Sequence, residues 1–116
     1  HPILKEQRMH NGIDIVQKEG TPVKTVLDGV VDYVGQDEEF GNVVKIRHRN
    51  GIVTIYAHLR DIYVKEEEVV KQGFIIGTIG KTGLAETAHL HFELWQNGKP
   101  EDPKKWLNIS DNSGRT

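Results

Sequence analysis

Cysteine is absent from the 116 residues, so no disulfide framework, thiolate zinc finger or cysteine nucleophile can be built. Charge of one sign is not in excess: 15 basic residues face 17 acidic ones, for a net charge of −2. No Lys/Arg cluster supplies the basic face that nucleic-acid binding needs, so nucleic acid is not expected as a partner. The longest same-sign run, Glu66-Glu67-Glu68, reads as a solvated turn. No apolar stretch approaches the ~20 residues of a membrane span, and no signal peptide is recognisable. The first residue is His1 rather than methionine, so the chain is expected to be part of a longer protein. Export signal, targeting elements and any membrane anchor would then lie outside it.

Helical periodicity is scarce as well, and what replaces it is glycine and β-branched residues. With 36% hydrophobic residues the length suits one core. Strands are expected at Gly12–Val16, Val23–Leu27, Val30–Gly35, Asn42–His48, Ile52–His58, Phe74–Ile79 and His89–Trp95. Each is short and bounded by turn residues, as in an all-β domain. Asn50-Gly51 lies between two alternating runs, a strong hairpin signal, and Asp28-Gly29 and Asn97-Gly98 mark further turns. Only Pro103–Leu107 reads as helical, a single short turn, and residues 110–116 read as a flexible tail. The expected fold is a small, mostly antiparallel β-sheet or sandwich domain.

Histidine is what stands out, with six copies. Alternation along His89–Trp95 puts Leu90, Phe92 and Leu94 on one face and His89, His91 and Glu93 on the other. Along Ile52–His58 it separates Val53, Ile55 and Ala57 from Thr54, Tyr56 and His58, and the second set is expected to face away from the core. Asp14 projects away from Ile13 and Ile15 in the same manner. A groove floored by these faces would gather imidazoles and a carboxylate.

His89 and His91 stand on one strand face roughly 7 Å apart by strand rise. One zinc ion can be reached by one of them while the other leans over the vacant position. His10-Asn11-Gly12-Ile13-Asp14 adds a nitrogen and an oxygen donor at a tight turn into a strand. Together these are the donors of a hydrolytic zinc site, three protein ligands and one open position. Taken singly, each signal is weak, and an ordinary polar residue is the better reading of any one of these histidines. Tyr56 reads either as a groove residue or as a packed strand aromatic. Glu93 reads as a supporting or surface group, since a fourth ligand would close the open position. His1 and His48 read as bystanders, the latter in a turn or rim role.

Five segments occur in the order and spacing of the lysostaphin-like, or LytM-type, zinc metallopeptidases, which the sequence resembles from about His1 to Leu107. They are His10–Ile15, Gly41–Val44, Tyr56–Leu59, Gly77–Gly83 and His89–Glu93. The resemblance implies that His10, Asp14 and His91 bind Zn2+. It also implies that His58 and His89 are the catalytic pair flanking a zinc-activated water, and that the fold is a small antiparallel β domain with a groove over the metal. The implied activity is endopeptidase cleavage of peptidoglycan stem peptides or cross-bridges, outside the cytoplasm. Residues 1–109 would form the domain, with its N-terminal strand truncated. Ala88 stands where the family often has proline.

Two other readings compete. A non-catalytic scaffold of the same family, serving sporulation or cell-division complexes, could retain zinc. The segment Lys71-Gln72-Gly73 to Gly80 resembles the hairpins of lipoyl-like carriers, but a carrier has no use for paired histidines. The mild acidity would not hold the domain on an anionic wall, so other domains or proteins are expected to target or inhibit it.

Overall fold

The computed structural model describes residues 12–103. Their strands are β1 (Ile13–Val16), β2 (Pro22–Lys24), β3 (Gly29–Asp37), β4 (Gly41–Arg47), β5 (Ile52–Ile62), β6 (Val69–Val70), β7 (Ile75–Ile79), β8 (His89–Gln96) and β9 (Lys99–Glu101). All the pairings among them are antiparallel. The main path is β1-β8-β5-β4-β3-β6, with β7 joining both β5 and β2, and β9 extending β8. β5 is the hinge of this arrangement: its first half pairs with β8 and its second half with β7.

The hairpin expected at Asn50-Gly51 joins β4 to β5, with both residues at positive φ (62° and 74°). Asn97 and Gly98 do the same between β8 and β9 (52° and 83°). These are the conformations that Asn and Gly adopt at least cost. β6 and β9 were not anticipated, because two residues, or three around a proline, are too few for an alternating pattern. The helical turn expected over residues 103–107 lies outside the described residues beyond Pro103, as does the tail from 110.

Val31, Val44, Ile46, Tyr56, Leu59, Ile76, Phe92 and Leu94 form the heart of the core, all at 1% exposure or less. The expected facing of β5 is therefore corrected. Thr54 and Tyr56 point into the main core, while Ile55 and Ala57 lie on the other face with Val43. The cross-strand register requires this, because Tyr56 pairs with the core residue Phe92 and Ala57 pairs with His91. Hydroxyls are tolerated in this core because each finds a partner. Tyr56 Oη accepts the Val26 N–H at 3.2 Å and lies 2.9 Å from Thr54 Oγ1.

His48, half-buried just before the Arg49–Gly51 turn, completes that network. Its Nδ1–H donates to the Asp28 carbonyl at 2.7 Å, and its Nε2 lies 2.7 Å from Thr54 Oγ1. Burial pushes its pKa below the ordinary value, against the opposing pull of the Asp28 carbonyl. A histidine kept neutral in the fold takes up protons more readily when unfolded. Its stabilising contribution is thus present above pH ~6.5 and is lost as pH falls through the lower folded value. His48→Gln is expected to cost about 1 kcal/mol at pH 7.5 through the lost hydrogen bond, and less at pH 5.5. Urea unfolding midpoints at the two pH values check this; an equal penalty at both would contradict it.

Candidate active site

His91 is the centre of the site. Its Cα lies opposite Asp14 of β1 on one side and Ala57 of β5 on the other. Paired positions share a sheet face, so the register carries the Asp14 carboxylate onto the His91 ring while the small Ala57 leaves room beside it. His91 Nδ1 is 2.8 Å from Asp14 Oδ1, and its Nε2 is 2.8 Å from Glu93 Oε2. The three side chains are nearly inaccessible to solvent.

His89 reaches the same face two residues earlier. Its Nδ1–H donates to the Thr87 carbonyl at 2.9 Å, and its Nε2 is 3.7 Å from Asp14 Oδ1. A carbonyl can only accept, which assigns the proton to Nδ1 and turns the Nε2 lone pair toward the carboxylate.

His58 arrives by another route. Simple alternation would send it into the core beside Tyr56. Instead, Asn42 pairs with Leu59 and Val44 with Tyr56, so Ala57 and His58 together face the single residue Val43. This is a β-bulge, and it re-aims the side chain. His58 takes φ 65°, and its ring centroid comes within 4.7 Å of that of His89 and 6.2 Å of that of His91.

The bulge is held from several directions. Its His58 N–H donates to the Phe40 carbonyl at 2.8 Å, and the Gly80 N–H donates to the His58 carbonyl at 3.1 Å. His58 Nδ1–H donates to the Thr82 carbonyl at 2.8 Å, leaving Nε2 as the lone-pair nitrogen. The Thr82 hydroxyl donates to the Leu59 carbonyl at 2.8 Å and accepts the Asn42 N–H at 3.1 Å. This close approach requires glycine: a Cβ on Gly41, at φ 64°, would collide with Thr82. The sequence motifs Gly41-Asn42 and Thr82-Gly83 are therefore the clamp on His58.

Burial holds the His58 imidazole below its ordinary pKa, with the neighbouring His89 and His91 adding to the effect and the Thr82 carbonyl opposing it. For His91, burial acts in the same direction but is outweighed by hydrogen bonds to Asp14 and Glu93 and by their charges, which raise it to about 9.

Two ionised carboxylates, one at each nitrogen, favour an imidazole that carries both protons or shares one nitrogen with a cation. The donors are imidazole nitrogen and carboxylate oxygen, both of which zinc accepts. His91 Nδ1 and Asp14 Oδ1 are the pair that could hold it, and on this donor chemistry the residues fit a metal. Among the described residues no set of three donors forms a complete metal site. The third expected ligand, His10, lies outside them. Phe40, with its ring centroid 5.4 Å from His91 and 6.3 Å from His58, walls the site and was not anticipated. Nor were Thr82 and Thr87, which hold their histidines through backbone carbonyls that leave no side-chain signature.

Fold and site together define a small antiparallel β domain with a histidine–carboxylate centre. The chain belongs to peptidase family M23, which residues 8–103 match. It is similar to the DD-carboxypeptidase/endopeptidase Mpg of Neisseria meningitidis serogroup B, at 45% identity over 103 residues, covering 89% of this chain and 24% of that protein. The chain thus spans about a quarter of the length of that curated relative. Among solved structures it is similar to the catalytic domain of lysostaphin from Staphylococcus simulans (TM-score 0.81, 34% identity, covering 86% of this chain and 80% of that one). It is also similar to a zinc-containing peptidase from Vibrio cholerae (TM-score 0.77, 38% identity, covering 79% and 28%).

Proposed function

We propose that this domain is a zinc metalloendopeptidase hydrolysing peptidoglycan peptides, with His10, Asp14 and His91 as ligands and His58 and His89 as catalytic residues. The observation that carries the reading is the facing pair of Asp14 Oδ1 and His91 Nδ1 at 2.8 Å, beside two imidazoles whose Nδ1 protons are committed to backbone carbonyls. Bound zinc would lower the pKa of a water toward ~7 and polarise the scissile carbonyl.

The chain's own residues supply the proton traffic. His58 and His89, each with its Nδ1–H committed to a backbone carbonyl, can each accept a proton at Nε2 and return it to the leaving amine. The depressed pKa of His58 keeps that acceptor available at neutral pH. Phe40 and the apolar bed of Val43, Ile55 and Ala57 limit water behind the rings.

The substrate is proposed to be a DD bond in the peptide cross-link, by similarity to a relative named for DD-carboxypeptidase and endopeptidase activity. Residues 1–109 are proposed as the catalytic domain, working outside the cytoplasm, with targeting or inhibition supplied by other domains or proteins. A scaffold that merely keeps zinc has no use for two imidazoles anchored through Nδ1 with their Nε2 atoms left to the site.

The test is zinc analysis of the full-length protein, with mass spectrometry of fragments released from purified walls. Stoichiometric zinc and new amino termini at the DD cross-link are expected. Intact cross-links after incubation with fully metallated protein would overturn the proposal.

A further inference from the structure

Glu93 is buried to 4% exposure, yet the proposed chemistry gives it no task. Its carboxylate is held at both oxygens: Oε2 accepts His91 Nε2–H at 2.8 Å, and Oε1 accepts Trp95 Nε1–H at 2.8 Å. The three residues alternate along β8 and so share one sheet face. Glu93 touches the ring nitrogen of His91 remote from Asp14, so its contact leaves the Nδ1 side of the ring to the ligand pair.

We infer that Glu93, locked by Trp95, is a positioning residue that keeps the proton of His91 on Nε2 and thereby keeps Nδ1 available to a metal. The inference rests on the reading of Asp14 and His91 as zinc ligands. A ligating imidazole can offer a lone pair at one nitrogen only, and its tautomer is set by what the other nitrogen meets. A carboxylate accepts at both oxygens. It therefore fixes the proton on Nε2 while also taking the indole N–H.

Glutamine at position 93 would have the same shape but only one accepting end. Trp95 can only donate, so the indole claims the amide oxygen and turns the NH2 toward His91 Nε2. The proton of His91 is then driven to Nδ1, the nitrogen that should bind metal. Removing the indole N–H with phenylalanine frees the amide to rotate and present its oxygen to Nε2–H. The geometry therefore demands a particular non-additivity: Trp95→Phe should partly rescue Glu93→Gln.

The experiment measures zinc affinity of the full-length protein by competition with a chromophoric chelator at pH 7.5. Wild type, E93Q, W95F and the E93Q/W95F double variant are compared, with melting of each metal-free form recorded in parallel. E93Q should bind zinc 10–100-fold more weakly, the range expected for loss of a ligand's hydrogen-bond partner. The double variant should bind more tightly than E93Q, with metal-free melting unrelated to affinity. Equal affinity of E93Q and wild type would overturn the inference. So would a double variant no tighter than E93Q, or affinity that follows metal-free stability across the set. Wild-type protein that takes up no zinc would instead overturn the metallopeptidase reading itself.

Discussion

Replacing His58 with asparagine should lower wall hydrolysis by about 10²–10⁴-fold, or roughly 3–5.5 kcal/mol of transition-state stabilisation, while zinc content stays at the wild-type level. The choice of asparagine follows from the backbone. His58 sits at φ 65° on the bulge, where asparagine is better tolerated than alanine or branched residues. A stability loss is thereby separated from a chemical one. His58 makes its hydrogen bond to Thr82 through Nδ1 and presents Nε2 over the site, so what the variant loses is the proton acceptor. The measurement pairs kcat on cross-linked wall peptides with metal analysis. Loss of zinc in parallel with activity would show that His58 acts through the metal site instead.

Replacing Asp14 with asparagine, or His91 with alanine, should have an effect at least comparable in size and a different signature. Each removes one half of the pair facing across 2.8 Å. Without a bound metal, its several kcal/mol of charge stabilisation disappears, on the order of 10³-fold or more in rate. The diagnostic readout is thermal. A ligand that binds only the folded state stabilises it by about 2.7 kcal/mol at a hundredfold excess over its dissociation constant. Zinc should therefore raise the melting temperature of the wild type and leave that of D14N and H91A where it was. A zinc-dependent rise that persists in both variants would place the ion elsewhere.

Much of the architecture was legible in the residues. Asn50-Gly51 and Asn97-Gly98 demand left-handed backbone that few other pairs adopt, and both turns form. The apolar face of Leu90, Phe92 and Leu94 alternates without interruption, so the orientation of His89, His91 and Glu93 follows from the pleat alone. β5 failed the same reasoning. Valine, isoleucine and alanine on one side outweigh threonine and tyrosine on the other only when hydrogen bonding is left out. Thr54 and Tyr56 bury their hydroxyls on each other, on Val26 and on His48. Alternation counts apolar residues and has no knowledge of partners supplied by distant segments.

Local order in the chain determined the strands, the turns and the presence of histidines and carboxylates at spacings that suit a metal. Those features depend on backbone preferences and side-chain parity within a few residues. Tertiary structure alone decided which groups meet. Asp14 and His91 are brought together by the β1–β8 register. His58 joins them only because a bulge held by Phe40, Gly80 and Thr82 breaks its parity. The tautomers were decided in the same way. A ring nitrogen carries its proton according to the carbonyl or carboxylate it faces, and those partners come from a neighbouring loop, a backbone turn or the next residue on the sheet face.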